Sequence, residues 1–210
     1  RRREEIYLAR FALKQLYAQW DRLYLPLKGL LKPPPDIPMT ARLKGKHDSD
    51  IGAGGLPLND IRLALTQHHK TRLVLLGDPG AGKTTTLDRL ALEMARQRLC
   101  DPLNTKLPVR VDLSQHNDSR SPAEFISSTW ESLGLAENYA EAVRQGKVCF
   151  LLDGLNQMDT QGRSRRVENW KNWASELLEG NWAVFTCRAD DYVGSMQLNL
   201  PEVHIETLAK

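Results

Sequence analysis

Residues 77–85 read GDPGAGKTT, with four residues between Gly77 and Gly82 and with Lys83 and Thr84 directly after. That spacing suits a polyphosphate. Glycines let backbone N–H groups turn toward phosphate oxygens without Cβ obstruction, and a helix start adds partial positive charge. Lys83 would reach the β- and γ-phosphates and Thr84 would offer its hydroxyl to Mg²⁺. The expected phosphate-holding set is therefore Gly77, Asp78, Pro79, Gly80, Ala81, Gly82, Lys83, Thr84 and Thr85. A second stretch, VCFLLDGLNQMD at 148–159, runs apolar up to Asp153, an acid at a strand end that could share the cation with Thr84. Beside it stand Asn156 and Gln157, where a phosphoanhydride-cleaving enzyme would carry carboxylates.

An amide cannot take a proton from an attacking water, but it can orient one. Phosphoryl transfer passes through a loose transition state in which positioning and charge stabilisation weigh more than strong base catalysis. General-base help is worth about 10²–10⁴-fold in rate, so the amides imply slow turnover or none, with binding kept. Asp159, Asp190 and Asp191 are candidate substitute acids, each weighed against a plain turn residue.

These side chains need elements to hold them. RLVLLG (72–77), LPVRVDL (107–113), KVCFLLD (147–153), WAVFTCR (182–188) and EVHIETL (202–208) read as five buried strands. Between them, Leu87, Leu90, Ala91, Met94 and Ala95 mark one inner helical face, and Val167, Trp170, Ala174, Leu177 and Leu178 another. Ser121, Pro122 and Glu124 predict a helix opening with a capping box. Alternating strands and helices imply an α/β three-layer sandwich around a five-stranded parallel sheet. Upstream, Ile6, Ala9, Leu13, Leu16, Tyr17 and Trp20 share one helical face of a segment over 4–20, started at Glu4 because Arg1–Arg3 oppose a helix N-terminus. KPPPDIP and IGAGGLP then read as extended linker and loop. The expected division is an N-terminal helical segment over 1–31, a Pro/Gly-rich linker over 32–58 and a nucleotide-binding domain over 59–210.

The first fifty residues hold eleven Lys/Arg against six Asp/Glu, leaving eighteen against twenty of the chain's 29 and 26. The basic excess is small and carries no basic-aromatic recognition motif, so no specific nucleic-acid partner is expected. No apolar run reaches the roughly 18 residues that span a bilayer, and no signal-peptide pattern opens the chain, which points to the cytoplasm and no membrane partner. Cys149 and Cys187 lie in apolar strands and Cys100 stands apart, as reduced thiols rather than a disulfide frame. His68 and His69 are adjacent and so diverge on a helix, and His47, His116 and His204 lack ligand-spaced partners, so no zinc site is expected. Arg163, Arg165 and Arg166 crowd a helix start, where the macrodipole disfavours cations; a solvated helix end is weighed there against an arginine offered to a neighbouring protomer. Opening on Arg1 and closing on a strand-like run, the sequence reads as a segment of a longer protein.

RLVLLGDPGAGKTTTL, FLLDGLNQM and VFTCRADDY, in this order and spacing over about residues 60–208, resemble the NACHT branch of the STAND P-loop nucleotide switches. A whole strand between the phosphate loop and Asp153 is similar to the P-loop branch with strand order 5-1-4-3-2. No Asn-Lys-x-Asp guanine-reading sequence is present, which favours ATP/ADP. The resemblance implies a small residue after the Asp153 position, matched by Gly154, and a sensor arginine after a Thr-rich strand end, matched by Arg188. It also implies two acids where Asn156 and Gln157 stand, and here the chain departs from the pattern. The candidate catalytic set is Lys83, Asp153, Gln157 and Arg188, with Mg²⁺ at Thr84 and Asp153. Function is then expected to be a slowly hydrolysing ATP/Mg²⁺ switch of a signalling or defence protein. It would rest with ADP, be opened by a sensor domain, and act through homo-oligomerisation and an effector. A steadily cycling ATPase and a nucleotide-stabilised scaffold are the alternatives.

Overall fold

Apolar runs of six or seven residues make the centre of the sheet because strands covered on both faces need no polar side. In the computed structural model, which describes residues 2–13, 27–33, 55–60, 62–66, 71–135 and 138–206, these runs are β3 (Arg72–Gly77), β5 (Val148–Asp153) and β6 (Trp182–Arg188). With β4 (Leu107–Asp112) and β7 (Glu202–Ile205) they form the parallel order β7-β3-β6-β5-β4, the 5-1-4-3-2 arrangement that the resemblance implies.

The sheet nevertheless has seven strands and mixed orientation, which corrects the five-stranded parallel expectation. β1 (Gly29–Lys32) runs antiparallel to β7, and β2 (Leu56–Leu58) runs antiparallel to β1. Leu31 is fully buried there. The addition covers an edge of β7 that would otherwise present unpaired backbone groups. Strands of four and three residues are too short to show a period.

The short helix α2 (Leu63–Thr66) precedes β3, and the connections are α3 (Lys83–Cys100) from β3 to β4 and α4 (Pro122–Ser132) with α5 (Tyr139–Arg144) from β4 to β5. α6 (Arg163–Glu176) then leads from β5 to β6. The chain crosses the sheet in opposite directions at the first step and the later two, so right-handed crossovers put α3 on one face and α4 and α6 on the other. The expected inner face of α3 is buried from Leu87 to Ala95. The Ser121 capping box forms, with the Ser121 N–H donating to Glu124 Oε2 at 2.7 Å and the Glu124 N–H to Ser121 Oγ at 3.3 Å. In α6, Val167, Trp170 and Ala174 point inward as expected, but the helix stops at Glu176 and Leu178 beyond it is exposed.

The N-terminal helix α1 (Arg2–Leu13) corrects the expected face: Tyr7, Leu8 and Phe11 are buried, whereas Ile6 and Leu13 are exposed. Leu16, Tyr17 and Trp20 lie outside the described residues, as does most of the proline run. Tertiary partners select the buried face. The Tyr7 hydroxyl donates to Pro108 O at 2.9 Å, and Glu4 pairs with Arg98 at 2.7 Å. Pro108 sits on the edge strand β4, where a residue without an N–H is tolerated.

Trp170 and Trp173 pack against Phe185 and Phe150 in edge-to-face contacts, as core side chains. Trp170 Nε1 donates to His116 Nδ1 at 3.1 Å, and His116 Nε2 lies 2.8 Å from Arg120 O. An acceptor at Nδ1 and a donor at Nε2 describe a neutral imidazole. Burial, with nearby Arg166 and Arg120, holds the His116 pKa below its ordinary 6.5, although the Arg120 carbonyl and Asp118 pull the other way. A group kept neutral by folding stabilises fully above its unfolded pKa and loses that contribution as pH falls through the lower folded value. Wild-type melting temperature is therefore expected to drop on acidification below about pH 6.5. His116→Phe should start lower but slope less between pH 7 and pH 5. Parallel slopes would remove His116 as the cause.

Candidate active site

Three strand ends meet at one rim of the sheet. β3 runs into the 77–85 loop, β5 ends at Asp153, and β6 ends at Arg188, which is in register with Gly77. Between them lies a cavity of about 270 Å³. Pro79, Gly80, Gly82, Lys83, Thr84 and Thr85 line one side of it. Asp153, Gly154, Asn156 and Gln157 line another, and Thr186 and Arg188 complete the wall.

Gly77, Asp78 and Ala81 build the loop rather than face the cavity: Ala81 N–H donates to Asp78 O at 3.1 Å, and Lys83 Nζ donates to Gly77 O and Asp78 O at 2.7 and 2.8 Å. Gly80 has φ +79°, a conformation that side chains disfavour, and a Cβ there would meet nothing within 4 Å. α3 begins at Lys83 behind Gly82, with no side-chain cap, and Thr86 N–H donates back to Gly82 O at 2.8 Å. An uncapped helix start beside an open glycine turn is a donor set that fits phosphate oxygens. Burial holds the Lys83 pKa below its ordinary value, and the neighbouring Arg188 adds to this. Cys187, Asp153 and Asp78 pull the other way; Lys83 and Arg188 both line the cavity, where a polyanion would pair with each.

Asp153 is a mostly buried carboxylate with both oxygens engaged. Thr186 Oγ1 donates to Oδ1 at 2.5 Å and in turn accepts the Gly154 N–H at 2.8 Å. Arg110 Nη2 lies 3.2 Å from Oδ2, while its Nε is 2.8 Å from Asp88 Oδ1 on α3. The exposed Thr84 hydroxyl and Asp153 share the cavity, a hard-oxygen pair that could hold Mg²⁺ through its waters.

The two amides differ in setting. Asn156 Nδ2 donates to Asp191 Oδ2 at 2.8 Å and is thereby tied to the loop after β6. Gln157 is exposed, and its side chain folds over Gly154, where an added Cβ would stand 2.8 Å from Gln157 Oε1. Gly154 has φ +82°, so glycine after Asp153 is required by conformation, while the crowding there comes from the movable tip of Gln157. Asp159, Asp190 and Asp191 do not line the cavity. Asp159 accepts from Gln161 N–H at 3.2 Å in a turn. The Arg163 and Arg166 side chains clamp that turn, donating to Met158 O at 2.9 Å and to Asp159 O and Gln161 O at 2.6 and 2.8 Å. Carbonyls thus answer Arg163 and Arg166 at that helix start. Cys149 and Cys187 are core thiols, both pushed up to about 12 chiefly by burial.

Arg110 and Asp88 escaped the sequence reading. The available signal was a lone cation inside the apolar run LPVRVDL, the one half-buried residue among its buried neighbours 107–111. Among the described residues, no helix is long and apolar enough to cross a membrane. The family model described as NACHT domain matches residues 71–206. Comparison with curated proteins gives no match.

Proposed function

The chain belongs to the NACHT family of P-loop nucleotide-binding proteins, and from that premise we propose a switch that holds ATP or ADP with Mg²⁺ and hydrolyses slowly. The observation that carries this reading is the convergence of Pro79, Gly80, Gly82, Lys83, Thr84, Thr85, Asp153, Gln157 and Arg188 on one cavity. In the proposed mechanism the amides at the start of α3 bind the phosphate chain, and Lys83 shifts from its loop carbonyls toward the terminal phosphates. Thr84 and Asp153 orient the metal's water shell. Bound with the nucleotide, Mg²⁺ supplies neutralising charge on the phosphate oxygens. Gln157 orients a water without deprotonating it, and Arg188 reads the terminal phosphate.

Differential contact with that phosphate is what lets a nucleotide bias a two-state protein. Lys83 and Arg188 would provide it, and the missing acids would lengthen the triphosphate's stay. Sensor and effector domains, oligomerisation on activation, a signalling or defence role and a cytoplasmic setting complete the reading, as family membership implies. Steady-state phosphate release tests it, together with identification of nucleotide carried through purification. The expected results are an adenine nucleotide on the protein and turnover well below about 1 s⁻¹. Sustained cycling at or above that rate would replace the switch with a motor.

A further inference from the structure

Asp153, the acid that the proposed function assigns to the metal, is already paired with an internal cation. Its Oδ1 takes the Thr186 hydroxyl at 2.5 Å and its Oδ2 faces Arg110 Nη2 at 3.2 Å. Arg110 has a second and closer carboxylate, Asp88, at 2.8 Å from Nε, and Nη1 lies 3.3 Å from Leu151 O. Arg110, Asp88 and Asp153 have side chains 20%, 27% and 17% exposed, so solvent screens the cluster only in part. The guanidinium is therefore anchored by its short contact and leans on Asp153 through its long one. It could release Asp153 while keeping Asp88 and the carbonyl.

A divalent cation approaching Asp153 meets a fixed positive charge on one oxygen and a donor hydrogen on the other. It must displace one of them or bind beside a like charge, and either weakens its hold. Asp88 has the opposite effect, since it draws the guanidinium away from Asp153. The two residues should thus move magnesium affinity in opposite directions, which a merely structural role for the cluster would not do.

We infer that Arg110 is a built-in competitor for the Mg²⁺ acid, shared between Asp88 and Asp153, and that this sharing sets the magnesium concentration at which nucleotide binding becomes metal-dependent. The inference rests on the proposed nucleotide site and names a positioning residue within it.

The test is fluorescent ADP binding titrated against Mg²⁺, on wild type, Arg110→Gln and Asp88→Asn, with circular dichroism confirming the fold of each. Arg110→Gln should lower the magnesium midpoint on the order of tenfold by removing the competing charge. Asp88→Asn should raise it severalfold by leaving Asp153 as the guanidinium's remaining carboxylate. Should Arg110→Gln not fold, Arg110→Lys and Asp88→Asn decide, because a lysine cannot bridge both carboxylates and should also shift the midpoint. Unchanged midpoints, or shifts of the same sign in Arg110→Gln and Asp88→Asn, overturn the inference while leaving the nucleotide site standing. Absence of any nucleotide binding by wild type overturns both.

Discussion

Replacing Lys83 by alanine is expected to weaken ADP and ATP binding about 100-fold while leaving the unliganded fold nearly as stable. A hydrogen bond to a charged group contributes roughly 1.5–3 kcal/mol, and Lys83 would offer several donors to the phosphates. Its present contacts are two loop carbonyls at 2.7 and 2.8 Å, so the truncation also frees the turn that shapes the phosphate cradle. The protein is relieved at the same time of a cation that burial and Arg188 disfavour, which limits the loss of stability. Thermal shift separates these effects. Excess nucleotide should raise the wild-type melting temperature and leave that of Lys83→Ala almost unmoved, with the two unliganded proteins within a few degrees of each other. An equal nucleotide-induced rise in both would remove Lys83 from the site.

Gln157→Glu is expected to accelerate hydrolysis of bound ATP by about 100-fold or more, the lower end of what a positioned general base supplies. Gln157 is exposed to the cavity that Asp153 and Lys83 share, so a carboxylate there stays solvated and can accept a proton. Asn156→Asp should not do the same. Its side chain is tied to Asp191 at 2.8 Å, and a carboxylate there would face another carboxylate. Single-turnover phosphate release on the two variants reads the difference. Equal rates would mean that the amides do not hold the water, and an acid from another chain would become the better account.

Motifs that are local in sequence were legible because one turn or one strand end holds them. The 77–85 loop, Asp153 and Arg188 each sit at the end of an apolar strand, and the parallel order of those strands brings the three together. Gly154 was legible through the family resemblance, and its positive φ now gives the physical reason. Contacts between distant segments could not be read. Nothing in EEIYLARF says that Tyr7 rather than Ile6 faces inward, because Pro108 and Arg98 make that choice from about a hundred residues away. β1 and β2 carry too few residues for a period, and their place is set by the edge of β7. Arg110 and Asp88 are 22 positions apart and become one cluster only when α3 lies over β4 and β5. Asp191 could be weighed as a base in sequence, but its partner Asn156 appears only across the gap between β5 and β6.

Whether this chain holds one adenine nucleotide is decided by calorimetric titration of the folded wild type with Mg²⁺-ADP. One site per chain, with a dissociation constant of about a micromolar or tighter and a clear preference for adenine over guanine, is the predicted result. No heat from either magnesium-loaded nucleotide at millimolar concentration would contradict it.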